Sequence, residues 1–151
     1  METIFTCKHF DELTTKELYE ILKLRMEVFC IEQQCAYQDC DDRDYVSYHV
    51  EGRQGNELVA YSRLLPKGVS YEEYCSIGRV LTKATVRGQQ VGKELMTRSI
   101  EQCNKLFNEK IKISAQSYLE KFYSDFGFEA TGHHYLEDEI PHMSMILIPS
   151  R

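Results

Sequence analysis

The sequence predicts a mixed α/β domain with a mostly antiparallel central sheet flanked by helices. Three observations carry this. Val46, Tyr48 and Val50 alternate with Ser47, His49 and Glu51, the period of a half-buried strand. Leu18, Ile21, Leu22, Val28 and Phe29, and again Val91, Leu95, Ile100, Cys103 and Phe107, recur at helical spacing. The two kinds of segment follow the order strand, helix, antiparallel strands, then strand–helix–strand–helix–strand–strand. No repeat, low-complexity tract or linker interrupts them, so residues 1–151 read as one domain.

Each element has a local reason. Thr3–Cys7 reads as a first strand. Thr14 and Glu17 form a capping-box pair that starts a helix running to about Phe29. Ile31–Tyr45 is polar and acidic, a loop or short second helix. The strand around Val46–Glu51 meets a turn signal, Gly52–Asn56, and Glu57–Leu65 would return as its hairpin partner. Pro66–Glu73 connects to a strand at Tyr74–Leu81. A loop with Arg87 and Gly88 leads into a helix from about Gly92 to Asn108. Lys110–Ser117 is the next core strand. Leu119, Phe122, Tyr123 and Phe126 mark a short helix that Gly127 ends, and Glu129–Tyr135 and Met143–Ile148 close the sheet.

Composition excludes several classes. Asp and Glu number 24 against 18 Lys and Arg, a net −6, which argues against a surface built to grip nucleic acid. The longest apolar runs, such as Val28–Ile31, are four residues, far from the roughly 20 of a membrane-spanning helix. Met1–Phe10 contains Glu2, Lys8 and His9 and has no apolar signal core, so a cytoplasmic protein without membrane association is expected. The six cysteines include no C-x-x-C pair, and most read as small buried hydrophobes with reduced thiols. His133 and His134 are neighbours on a strand and face opposite sides, so no metal site is expected.

The segment Gly78–Met96 is the most informative. It places a strand, then Arg-Gly-x-x-x-Gly, then an amphipathic helix, an arrangement in which free amides and the helix dipole favour an anion. Three residues separate Gly88 from Gly92, one fewer than a P-loop needs, and G-x-G-x-x-G is absent. The two glycines could equally do no more than turn the chain into the helix. Charge favours the cradle: Arg79, Lys83, Arg87, Lys93 and Arg98 against Glu94 give this stretch +4, leaving −10 for the rest of the chain.

These residues resemble the GNAT superfamily of N-acetyltransferases. Its pyrophosphate motif, Q/R-x-x-G-x-G/A, aligns with Arg87-Gly88-Gln89-Gln90-Val91-Gly92, with Gln90 where the middle glycine stands. Gln116 and then Phe122-Tyr123-Ser124-Asp125-Phe126-Gly127-Phe128 match its second motif. The ElaA type of this superfamily is similar over nearly the whole chain. Its L-R-x-x-V-F-x-x-E-Q-x-C-x-Y-x-D is matched by Leu24 to Asp39, its I-G-R-V by Ile77 to Val80, and its A-Q by Ala115-Gln116. Its Y-x-E-D-G-I-P-H is matched by Tyr135 to His142, with Glu139 in place of Gly.

The resemblance implies the GNAT acyl-CoA N-acyltransferase fold and transfer of an acetyl group from acetyl-CoA (coenzyme A) to a primary amine. Backbone groups of Val80, Leu81 and Thr82 would pair with the pantetheine arm. The loop from Arg87 through Gly88, Gln89, Gln90, Val91 and Gly92 to Lys93 would hold the pyrophosphate, and Gln116 and Tyr123 would border the same cofactor. Tyr123 aligns with the family's general acid, and its other reading is a core aromatic beside Leu119 and Phe122. Base candidates are Glu32, Asp44, His49 and His142. Glu32, Tyr37, Asp39, Asp44, His49, Arg79 and His142 are the expected acceptor-side residues.

From Glu27 to Glu51 seven acidic residues face only Arg43, a net −6. That run would draw a cationic small-molecule or peptide amine, or else it is a solvated loop. A calcium loop is rejected, since position six from Asp39 is Asp44 and position twelve is Val50. The expected assembly is a monomer or homodimer. The alternative function is a non-catalytic acyl-CoA-sensing module of the same fold.

Overall fold

A computed structural model describes residues 1–149. Among them the elements are β1 (Ile4–His9), α1 (Thr15–Arg25), β2 (Tyr48–Gln54), β3 (Glu57–Leu65), β4 (Ser76–Thr82), α2 (Val91–Leu106), β5 (Ile111–Gln116), α3 (Glu120–Ser124), β6 (Glu129–Glu137) and β7 (Ile140–Leu147). β1, β2, β3 and β4 form one antiparallel sheet in that order, and β5, β7 and β6 form a second. A parallel bridge between Cys75 and Ile111 joins the two, with Cys75 N donating to Lys110 O at 3.2 Å and Lys112 N to Cys75 O at 3.0 Å.

β3 is buried on both faces. Ile21, Leu24 and Val28 press on Leu58, Tyr61 and Leu81 on one side. On the other side Val91, Leu95, Met96 and Cys103 of α2 meet Val50, Ala60, Leu64 and Ile77, in a core that continues into β5 and β7 through Ile111, Ile113, Met143 and Met145. An irregularity in the β2–β3 register, where Gly52 faces Ala60 but Arg53 faces Leu58, lets Leu58 and Tyr61 share a face.

Several boundaries differ from the sequence reading. The capping box is present, with Thr14 Oγ1 accepting from Glu17 N and Glu17 Oε1 from Thr14 N. The α-helix ends at Arg25, however, and Met26–Glu32 continue as a wider π-helical turn. Apolar spacing cannot distinguish these two ladders. Gly52 is strand, not turn: it pairs with Phe5 and Ala60, and a Cβ there would lie 2.7 Å from the Phe5 ring. β7 begins at Ile140, three residues early, and turns back from β6 through Asp138 and Glu139, both left-handed (φ 50° and 64°). Of the six cysteines, all free, only Cys75 and Cys103 are fully buried, while Cys40 is exposed.

Candidate active site

β4 and β5 are the facing end strands of the two sheets. Beyond Cys75 and Ile111 they diverge, so the edge of each lacks a strand partner and its backbone groups face an open cleft of about 860 Å³. β4 is also bulged. Tyr61 pairs with Leu81 and Arg63 with Gly78, so Arg79 and Val80 together oppose Ser62. Arg79 takes a left-handed φ of 50°.

The loop after β4 ends in the N-terminus of α2. Gly88 and Gln90 are both left-handed (φ 88° and 66°). Gln90, which stands where the motif has its middle glycine, adopts the conformation at a cost of about 1–2 kcal/mol. The first helical bond runs from Glu94 N to Gln90 O, which leaves the Val91, Gly92 and Lys93 amides without intrahelical acceptors. They border a smaller recess shared with Thr82, Arg87 and Phe122. The Gln89 amide is a correction, since it donates to Val86 O at 3.3 Å and is not free for an anion. The Thr82 carbonyl is likewise engaged, accepting from Arg87 Nε and Nη2 at 3.2 and 2.9 Å. The same guanidinium reaches across to Glu32 Oε1 at 2.8 Å.

Tyr123, on α3, is 8% exposed and lines the cleft with Gln116 and Leu119. Burial raises its phenol to about 12, so it is protonated at neutral pH. His142 faces Gln116 across the β5–β7 pair and also lines the cleft. Its Nδ1 lies 2.7 Å from Ile140 O. A carbonyl only accepts, so Nδ1 is the donor to Ile140 O, while Nε2 lies 3.4 Å from Glu137 Oε2.

Glu32, Tyr37 and Arg79 also reach the cleft wall. Asp39, Asp44 and His49 do not, and here the sequence reading needs correction. His49 is fully buried, packed between Phe10 and Tyr61. Its Nδ1 is 2.6 Å from Tyr61 Oη and its Nε2 3.1 Å from Asp44 O, and burial lowers its pKa, so it is neither free nor basic enough to take a proton from substrate.

Three of the seven acidic residues of the run, Asp39, Asp41 and Asp44, form a closed ring of ion pairs, and Glu51 and Glu32 pair with Arg53 and Arg87. Arg25 binds Asp39 and Asp44 at 2.8 and 2.7 Å. Arg63 binds Asp44 and Asp41 at 3.0 and 2.8 Å. Arg79 closes the ring on Asp41 and Asp39 at 3.5 and 2.9 Å. Three carboxylates meet three guanidiniums, so the expected attraction for a cationic acceptor loses most of its source. Sequence reasoning missed Arg25 and Arg63, although one signal was present: Arg25 lies four residues from Ile21, on the apolar stripe of α1. Glu137 was also missed as the partner of His142.

Comparison with known proteins fits this geometry. The family model for the acetyltransferase (GNAT) domain matches residues 13–149. The chain belongs to the GNAT acetyltransferase family. It is 40% identical over 140 residues to Protein ElaA of Escherichia coli K12, covering 91% of each chain. Among GNAT structures, the fold matches an acyl-CoA N-acyltransferase from Pseudomonas aeruginosa with a TM-score of 0.89 at 38% identity, covering 96% of this chain and 99% of that one. It matches E. coli ElaA with a TM-score of 0.87, also at 38% identity, covering 95% and 98%. GNAT membership implies use of an acyl-CoA and an amine acceptor. No helix among the described residues is long and apolar enough to cross a membrane.

Proposed function

We propose that the protein transfers an acetyl group from acetyl-CoA to a primary amine by direct attack in a ternary complex. One observation carries this reading: the β4 and β5 edges and Tyr123 line one cleft, and the free amides of α2 line a second recess that shares Thr82 and Arg87 with it. Bound acetyl-CoA would supply an activated thioester. The β4 edge at Val80, Leu81 and Thr82 would align it, and an amide near Leu81 would donate to the oxygen on which charge develops. The amides of Val91, Gly92 and Lys93 suit a pyrophosphate.

Attack forms a nitrogen–carbon bond and breaks the carbon–sulfur bond, so one proton must leave the amine and one must reach the sulfur. Tyr123 holds a proton at Oη for the departing sulfur. His142 is the base of choice: with Nδ1 tied to Ile140 O, its Nε2 at the cleft would take the amine proton. Glu32 is already engaged by Arg87, and His49 and Asp44 are enclosed. With the acidic run internally paired, the acceptor is a small-molecule or peptide amine chosen by the cleft, not by a strong field.

The experiment is thiol release from acetyl-CoA across a panel of amines. Tyr123→Phe is expected to lower kcat by about tenfold or more while KM for acetyl-CoA stays within about twofold. Unchanged kcat would remove Tyr123 from the mechanism. Stabilisation by acetyl-CoA without release on any amine would favour the acyl-CoA-sensing alternative.

A further inference from the structure

The ion-pair ring touches the cleft at Arg79, and this contact coincides with the backbone irregularity of β4. Arg79 occupies a left-handed conformation that glycine adopts freely and arginine does not, although Gly78 stands immediately before it. Something must hold it there. Its Nε donates to Asp39 Oδ1 at 2.9 Å and its Nη2 to Asp39 O at 3.0 Å, and the guanidinium lies 5.6 Å over the Tyr37 ring. Tyr37 Oη donates to the same Asp39 Oδ1 at 3.1 Å. Asp39 is itself pinned from the opposite side, where buried Arg25 contacts its Oδ2 at 2.8 Å and its carbonyl at 3.1 Å. Across the bulge, Ser62 is tied to Ser99 of α2 at 2.7 Å. The bulge is thus clamped between α2 and a carboxylate that is fixed from behind.

We propose that Asp39, acting through Arg79, sets the bulge of β4 and with it the backbone at Val80 and Leu81 that faces the acyl group. Asp39 and Arg79 are positioning residues for acyl transfer. The inference rests on the functional reading above and gives the acidic segment a role on the acyl side of the cleft, where the sequence suggested the acceptor side.

Two substitutions at one position separate anchoring from every other role of the guanidinium. Arg79→Ala and Arg79→Gly delete the same contacts, but only glycine takes the left-handed conformation without strain. Binding is measured by calorimetry with coenzyme A and with a non-hydrolysable ketone analogue of acetyl-CoA. Arg79→Ala is expected to leave coenzyme A affinity within about twofold, to erase the wild-type preference for the ketone, and to lower kcat about tenfold. Arg79→Gly should recover the preference and return kcat to within about threefold of wild type. Equal behaviour of the two variants, or parallel weakening of both ligands, overturns the proposal.

A third measurement needs no ligand. Amide exchange in Asp39→Asn should accelerate at residues 79–82 relative to β2. Unchanged exchange there overturns the anchor whatever the enzyme does. If wild-type protein binds neither ligand while Asp39→Asn still shows this acceleration, the acetyl-CoA reading is refuted and the anchor stands.

Discussion

Two histidines on strands, His49 and His142, show how surroundings decide a residue's chemistry. His49 is enclosed, with both nitrogens occupied and its charged form penalised by burial. His142 has one nitrogen fixed by Ile140 O and the other directed toward Glu137 at the cleft. His142→Gln should therefore cut kcat/KM for the amine about a hundredfold at neutral pH. Because an alkylamine deprotonates unaided near pH 10, the deficit should shrink as pH rises toward about 10. A deficit independent of pH would show that His142 positions substrate without acting as base. The places of Tyr123 at the cleft and Gly92 at the adjoining recess were legible in the sequence because local motifs contain them. Asp39, Asp44 and His49 were misplaced because their partners are remote in sequence: Arg25 lies 19 positions from Asp44, and Arg79 lies 40 from Asp39.

Among the elements, the α2 N-terminus was the easiest to read, since the glycine loop, the basic residues and the apolar helix stripe all agree. Arg87 and Lys93 are both exposed there. Replacing both with Glu should weaken acetyl-CoA binding by more than about tenfold at low salt, with a smaller loss at high salt, while the unliganded thermal midpoint moves little. Calorimetry at two ionic strengths tests this, and an affinity that does not change would move the pyrophosphate elsewhere. The end of α1 was not legible, because a π-helical turn buries Val28 and carries Glu32 to the cleft with the same apolar residues an α-helix would use. The β6–β7 turn was missed for a related reason. Asp138 and Glu139 hold left-handed positions where glycine or asparagine is the usual signal.

On the scale of the whole molecule, the net charge of −6 conceals an interior arrangement. Burial tends to raise Asp41, but its bonds to Arg63 outweigh that and hold it at about 2. A carboxylate lowered on folding stabilises the native state above its unfolded pKa, near 4, and that contribution is lost as pH falls through about 2. The thermal midpoint should therefore drop between about pH 4 and about pH 2, and Asp41→Asn should be less stable at pH 7 yet show a shallower drop. An identical slope in the variant would mean the Arg63 pairing does not form in solution. Fold class and strand order were readable from periodicity, but the divergence of β4 from β5 was not, because it depends on where hydrogen bonding stops. The ring itself has a consequence for descent. Each of its six members answers two others, so losing an enclosed one leaves two opposite charges without a full complement. The four enclosed members, Arg25, Asp39, Asp44 and Arg63, cannot drift independently, whereas Asp41 and Arg79, about a quarter exposed, keep access to water when a partner is lost. Lineages would have to exchange an enclosed Asp and Arg together for packed apolar residues, or keep all four.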